Sequence, residues 1–507
     1  MLLPLLLLFG PSVPPVCTVV QDDPTPAPVD LDPEGPDVPV LELDLKHAEE
    51  LALLNNLQLR SATFDAMRAD FMHLGSWGDF DWTLNQSLTY SEDDIPSSNS
   101  LAGAAVIESS STRYSLDLTR PLATGGSFQA AFNASEQATN SMFAFASEQV
   151  NSSLQLTFTQ PLRRGAWSEY ATSSQRENDL SWRLSVEQER AARQDLILRV
   201  RNAYWDLVAA EQQREVAQSS LDLGLELLEK RQRELDAGVG TEVEVLQART
   251  EVATRIEALL RTENDVRQRA DDMKLMLFDS DEASTWARRL VPTTPLPEGT
   301  ETDQVPSWSQ ALMTATDRRT ELRQDRVRID IAQVQHSRTL SEQLSGLDLN
   351  VSASSDGVDR NHNSSLSDTL GFEFPGWSVA LTYSMPIGNR RANFAERAAR
   401  IAVRQAVLNH DRNELQVVAD VRKAVRDVYY RAEAVSASKQ SLELARRQFE
   451  VEQDRYDEGL STNYQVLEYQ RDRVEAESNE RQARVELAKA RVALDSAQGI
   501  LGERTSP

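Results

Sequence analysis

The chain repeats itself at a fixed offset of 221 residues, and this feature removes most folds from consideration. Val200-Arg201-x-Ala203-x-x-Asp206 returns as Val421-Arg422-x-Ala424-x-x-Asp427, and Ser220-Leu221-x-Leu223 returns as Ser441-Leu442-x-Leu444. Glu229 falls on Glu450, and Asp236-x-Gly238-x-x-Thr241-x-x-x-Val245-Leu246 matches Asp457-x-Gly459-x-x-Thr462-x-x-x-Val466-Leu467 without a gap. So long a period lies far beyond solenoid repeats, so the chain reads as a duplicated half-molecule with approximate twofold pseudosymmetry.

Each half carries the same local signals. From about Glu169 to Leu235 there is no proline and one glycine, Gly224, while Leu180, Leu184, Leu196, Val200, Leu207, Leu221 and Leu228 recur at helical spacing. Such a helix would be about 100 Å long, which no compact domain of this size contains. Gly238 and Gly240 break it, and a second helix runs from Val243 to about Phe278. The second half predicts a helix from about Ala392 to Tyr456, a turn at Gly459 capped by Ser461 or Thr462, and a helix through Val466, Val474, Val485 and Val492. The intervening faces are rich in Arg and Glu, the pattern of antiparallel coiled coils with solvated outer faces.

Ahead of each long helix the period changes to two. Trp82, Leu84, Leu88 and Tyr90 alternate with polar residues, as do Leu154, Leu156 and Phe158, then Leu347, Leu349 and Val351, then Val379, Leu381, Tyr383 and Met385. These four strands are too few to close a barrel within one chain, so a barrel shared among subunits, apolar toward lipid and polar toward a lumen, accounts for them. Tyr114-Ser-Leu116-Asp-Leu118, followed by Thr124-Gly125-Gly126 and Phe128, reads as an extra hairpin near 112–133, in the first half only, whose place in the barrel the sequence leaves open.

Composition narrows the function. The 507 residues carry 53 Lys+Arg against 79 Asp+Glu, a net charge of −26, which repels phosphate backbones and excludes nucleic acid as a partner. An acidic lumen favouring cations fits that balance. Leu2 to Phe9 is a short apolar run followed by Pro11, Pro14 and Pro15, read as a signal peptide over residues 1–20 ahead of a disordered, Pro-rich segment over 21–40. The single cysteine, Cys17, excludes an internal disulfide and is either removed with the signal or a site of lipidation. No other stretch reaches 18 uninterrupted apolar residues, so a membrane location requires strands.

The first repeat is expected over 41–284, a connector with Pro292, Pro295 and Pro297 over 285–306, the second repeat over 307–502, and a disordered tail over 503–507. No phosphate-binding loop, Cys pair or nucleophile elbow occurs, so neither an enzyme nor a cofactor is expected. Asp44 with His47 and Asp70 with His73 share a helical spacing, yet on one helix they would lie about 39 Å apart and could not share a metal.

Gln160-Pro161-Leu162-Arg-Arg-Gly165, its counterpart Met385-Pro386-Ile387-Gly388 and the two glycine turns together resemble the TolC-like outer membrane efflux proteins over about residues 41–502. The resemblance implies an α+β membrane protein: a homotrimer in the outer membrane of a Gram-negative-type bacterium, four strands per protomer in a twelve-stranded β-barrel bathed in outer membrane lipid, and a long periplasmic α-barrel. It implies a passive duct of a tripartite efflux or type I secretion system, completed by a periplasmic adaptor and an inner-membrane pump. The hairpin tips, here Gly238, Val239, Thr241, Gly459, Leu460 and Thr462, would dock the adaptor. Glu244 and Glu468 would narrow the closed end, with Tyr456 in its hydrogen-bond network. Gln465 stands where a family carboxylate would be, and Ser461 replaces a basic partner. Ordinary turn geometry and solvated helix charges are the competing account of these residues. A structural periplasmic coiled coil or surface adhesin is the competing function, with no evident use for matched strands in both halves.

Overall fold

The computed structural model describes residues 39–96, 105–141, 147–279, 283–297 and 305–502. The signal peptide, Cys17, nearly all of the Pro-rich segment and the tail over 503–507 lie outside the described residues. The first half runs β1 (Val40–Leu43), α1 (Leu45–Asn55), α2 (Leu57–Ser76), β2 (Thr83–Pro96), β3 (Val106–Pro121), β4 (Ser127–Thr139), β5 (Glu148–Pro161), α3 (Trp167–Ala171), α4 (Ser173–Asp236) and α5 (Glu242–Leu277). After α6 (Ala283–Trp286) and β6 (Arg289–Pro292), the second half runs α7 (Trp308–Arg318), α8 (Thr320–Glu342), β7 (Gly346–Asp359), α9 (His362–Leu370), β8 (Pro375–Ser384), α10 (Arg390–Asp457) and α11 (Asn463–Ala497). At 64 and 68 residues, α4 and α10 are each about 100 Å long.

The repeat determines what is buried. Val200 and Val421, 221 positions apart, are both fully buried, in two separate hydrophobic clusters, the first of which also takes in Val485, Ala488 and Val492 of α11. Around Val200 pack Leu196, Leu207, Met273 and Leu277, and around Val421 pack Val417, Val425, Val428 and Leu487. The buried Tyr204 hydroxyl donates to the carbonyl of Leu43 at 3.0 Å and accepts from the amides of Thr293 and Thr294, tying the chain ends of β1 and β6 to α4. The expected non-helical connector thus contains a strand: β6 pairs in parallel with β1, which its prolines concealed. Gly224, the lone glycine of α4, leaves room for Arg255 of α5, whose Cδ and Nη1 would lie 3.0 Å from an added Cβ.

The sheet is antiparallel throughout, in the order β2-β3-β4-β5-β7-β8. The four expected strands are β2, β5, β7 and β8. The extra hairpin, β3 with β4, stands between β2 and β5 with full ladders on both sides. The sheet of one protomer thus holds six strands, two more than the four expected. Alternation along the chain identified the strands, but only pairing could decide whether the hairpin joined the sheet.

Both strand-to-helix passages turn on a glycine in the left-handed region, Gly165 at φ +77° and Gly388 at φ +92°. At the far end, α9 folds back over β5 and β7: the Ser152 hydroxyl bonds Ser365 and Thr369, and Gly357 admits no Cβ because the Ser365 carbonyl would lie 2.1 Å from it. No helix among the described residues is long and apolar enough to cross a membrane.

Candidate functional site

The tips of the two hairpins share one backbone design. After α4, the amides of Gly238 and Val239 donate to the carbonyls of Leu235 and Glu234, with Gly238 at φ +73°. After α10, Gly459 and Leu460 donate to Tyr456 and Arg455, with Gly459 at φ +76°. This glycine-closed helix end satisfies the last carbonyls. Each following helix opens with a capping box, Thr241 with Glu244 in α5 and Thr462 with Gln465 in α11. Gln465 therefore does the structural work of its repeat counterpart Glu244. Hydrogen bonding to the Thr241 amide, at 2.9 Å, holds the Glu244 carboxyl below the usual carboxylate range. The turns leave Val239 80% and Leu460 66% exposed at the extreme ends of the hairpins.

The charged residues behind the turns have diverged. Arg231 is buried in α4 beside Glu234 at 2.6 Å. It also donates to the Tyr456 hydroxyl of the other hairpin, with its guanidinium 4.7 Å from that ring. The position 221 residues later holds Glu452, also buried, which pairs with Arg455 at 3.0 Å and accepts from the Ser461 hydroxyl. Tyr456 is thus brought to Arg231, whereas Glu468 lies exposed on α11. One helical stretch further from the tip, Glu251 of α5 pairs with Arg255 at 3.2 Å and with Arg471 of α11. Arg255 also donates to Gln470 at 3.3 Å, so a second link joins the hairpins. Arg231 and Glu452 are not among the residues expected at the tips; the change of charge sign at matched positions within a run of identities is the sequence signal that marks them.

Among the described residues no group of three or more His, Cys, Asp or Glu could hold a metal. Asp44 instead caps α1 by accepting from the His47 amide, and His73 stacks on Trp182 with centroids 5.9 Å apart.

No curated protein is a significant sequence match. Solved structures share the fold at low identity. The outer-membrane channel OprN superposes with a TM-score of 0.66 at 17% identity, covering 90% of this chain and 89% of that one. The CmeC outer membrane channel of Campylobacter jejuni gives 0.64 at 14%, covering 91% and 87%. The open state of the MtrE outer membrane channel of Neisseria gonorrhoeae gives 0.63 at 16%, covering 90% and 89%. The family model for outer membrane efflux proteins matches residues 127–277 and 311–500. Its two stretches fall on the two halves of the repeat and span well over half of the sequence, and on that basis the chain belongs to the outer membrane efflux protein family.

Proposed function

We propose that the chain forms the outer membrane duct of a tripartite efflux or type I secretion system, as a homotrimer through which substrates pass without chemical change. The observation that carries this reading is the union of two parts in one chain. A sheet with an apolar and a polar face, in which edge strands β2 and β8 have no partner on one side among the described residues, is joined to two helical hairpins each about 100 Å long. An uncovered sheet edge invites pairing, and three copies meeting edge to edge would close it. The hairpins then form the periplasmic tunnel. A structural coiled coil or adhesin would keep the helices but gain nothing from exposing Leu84, Leu88, Trp377, Val379 and Leu381 on strands.

In this reading the tips meet the periplasmic adaptor through Val239 and Leu460, presented by Gly238, Thr241, Gly459 and Thr462, and the adaptor couples the duct to its inner-membrane pump. Tyr456 with Arg231 holds the two hairpins of a protomer together near the closed end. Of the acidic residues, Glu468 is the freer to face cations, since Glu244 is engaged in its helix cap.

The test is outer membrane fractionation followed by planar bilayer recording of the purified protein. We expect a trimer whose conductance falls when a trivalent cation is added from the side of the tips. Glu468→Gln weakens that block more than Glu244→Gln does. A soluble monomer in the periplasm would end the duct reading, and equal block in the wild type and the double variant would remove these glutamates from the gate.

A further inference from the structure

The strand register places the extra hairpin on the same two surfaces as the rest of the sheet. Residues paired directly across an antiparallel ladder point to one face, and successive residues alternate. One continuous row crosses all six strands as Leu84, Leu118, Ala130, Leu156, Ala353 and Trp377. The neighbouring row, on the opposite face, is Thr83, Thr119, Gln129, Thr157, Ser352 and Ser378, without one apolar member. A hairpin lying outside the membrane would have no reason to keep its apolar side in step with four membrane strands.

The turn of the hairpin is also anchored at the helix end of the sheet. Gly125, at φ +85°, sits so close to the strand-to-helix passage that an added Cβ would lie 2.3 Å from the Gly165 carbonyl oxygen. The Thr124 carbonyl accepts from the Trp167 amide at 3.0 Å, and its hydroxyl donates to Gln160 at 2.9 Å. On the other flank, Arg120 donates to the Phe80 carbonyl at 3.1 Å and covers the Trp82 ring, which meets Phe128 edge-on. A short turn at the helix end is the form that turns on the periplasmic side of outer membrane barrels take.

We propose that β3 and β4 are built into the membrane wall of the duct, with their apolar face against lipid acyl chains and their polar face lining the lumen. A trimer of this chain then closes with eighteen strands in place of the twelve that four per protomer would give. The inference rests on the trimeric duct reading above. Six is an even number and β2 and β8 run in opposite directions, so β8 of one copy meets β2 of the next as an antiparallel pair. Barrel diameter grows roughly linearly with strand number, so the membrane lumen is about one and a half times as wide. The duct thereby admits bulkier solutes at its outer end, and its width no longer matches that of the helical tunnel beneath.

The test uses the assembled protein in lipid bilayers with spin labels on introduced cysteines. On the hairpin these are Gln129→Cys and Phe132→Cys, and on β8 they are Ser378→Cys and Val379→Cys. We expect the Gln129 and Ser378 labels to collide with a water-soluble nickel chelate, and the Phe132 and Val379 labels with oxygen dissolved in the bilayer. Water at both hairpin labels with the expected split on β8 would overturn the inference and leave the duct reading intact. Water at all four would overturn both. As a second measure, deletion of residues 100–145 removes β3 and β4; Leu84 and Leu156 already share a row, so the faces of β2 and β5 stay matched. End-on electron microscopy of that variant should find the barrel narrower by about a third. An unchanged diameter would place the hairpin outside the wall.

Discussion

The first and second hairpin tips have nearly the same backbone and opposite electrostatics. Gly238 and Gly459 hold matching left-handed conformations, and Thr241 and Thr462 cap the helices that follow. Behind those turns Arg231 stands where the second tip has Glu452, and Glu234 where it has Arg455. The second tip satisfies its buried carboxylate within its own hairpin, through Arg455 and Ser461. The first sends its buried cation across to Tyr456. After duplication the turn had to stay, because few residues close a helix in the left-handed region. The charge behind it was free to change, provided each buried group kept a partner. The result is a directional link in which the second tip depends on the first.

The largest effect is expected at the most exposed points, where the tips are alike. Val239→Asp or Leu460→Asp, by placing an unpaired charge at a small apolar contact, should each abolish capture of the adaptor in a pull-down while the trimer persists. Capture by only one of the two variants would mean that a single tip docks. Next comes the residue at which they differ. Arg231→Leu removes the cation from Glu234 and Tyr456 and should lower local stability by about 3 kcal/mol. Faster hydrogen exchange should appear in both hairpins, whereas Glu452→Leu should loosen only the second. Loosening of both by Glu452→Leu would refute the directional link.

Smaller and symmetric effects are expected from the glycines. Gly238→Ala and Gly459→Ala each force a side chain into the left-handed region, at a cost of about 1–2 kcal/mol. Nothing lies within 4 Å of either added Cβ, so the two losses should be equal. A difference beyond 1 kcal/mol in the exchange of the two turns would show that their surroundings are not equivalent. The smallest effect is at the Glu251 link. Burial raises its carboxyl pKa, but the hydrogen bond from Arg471 and the charges of Arg255 and Arg471 outweigh that and leave it lowered. The folded state therefore favours the ionised form. Its stabilisation is complete above the ordinary carboxylate value of 4.5 and is lost as pH falls through the lowered native value. Exchange near Glu251, corrected for intrinsic rates, should be steady from neutral pH to the mid-carboxylate range and quicken below it. Glu251→Gln should abolish that acid dependence, and an unaltered profile in the variant would assign it to another group.

The tip ends of the four long hairpin helices were legible almost to the residue, because proline-free apolar spacing and a glycine turn act within one or two helical turns. The expected helix end at Leu235 falls one residue before the last residue of α4, Asp236, and the expected end at Tyr456 one before that of α10, Asp457. The connector is less legible. Its prolines argued against structure, and β6 forms only because β1, some 250 residues earlier in the chain, offers a parallel edge. Arg231 and Glu452 were missed for a similar reason. In the sequence they are two more charges on Arg-rich and Glu-rich helices, and nothing local distinguishes a solvated charge from one covered by a second hairpin.

Periodicity is a local property, and from it the sequence alone determined the duplication, the long helices, the capped turns and the alternation of β2, β3, β5, β7 and β8. Partnership is not local. The place of β3 and β4 between β2 and β5 and the meeting of Arg231 with Tyr456 were decided only when distant segments packed. A strand of period two can pair with any other of its kind, and a charged helix can bury any of its faces. Which of these occurs depends on the closest approach of surfaces, as where Gly125 meets Gly165 with no room for a Cβ.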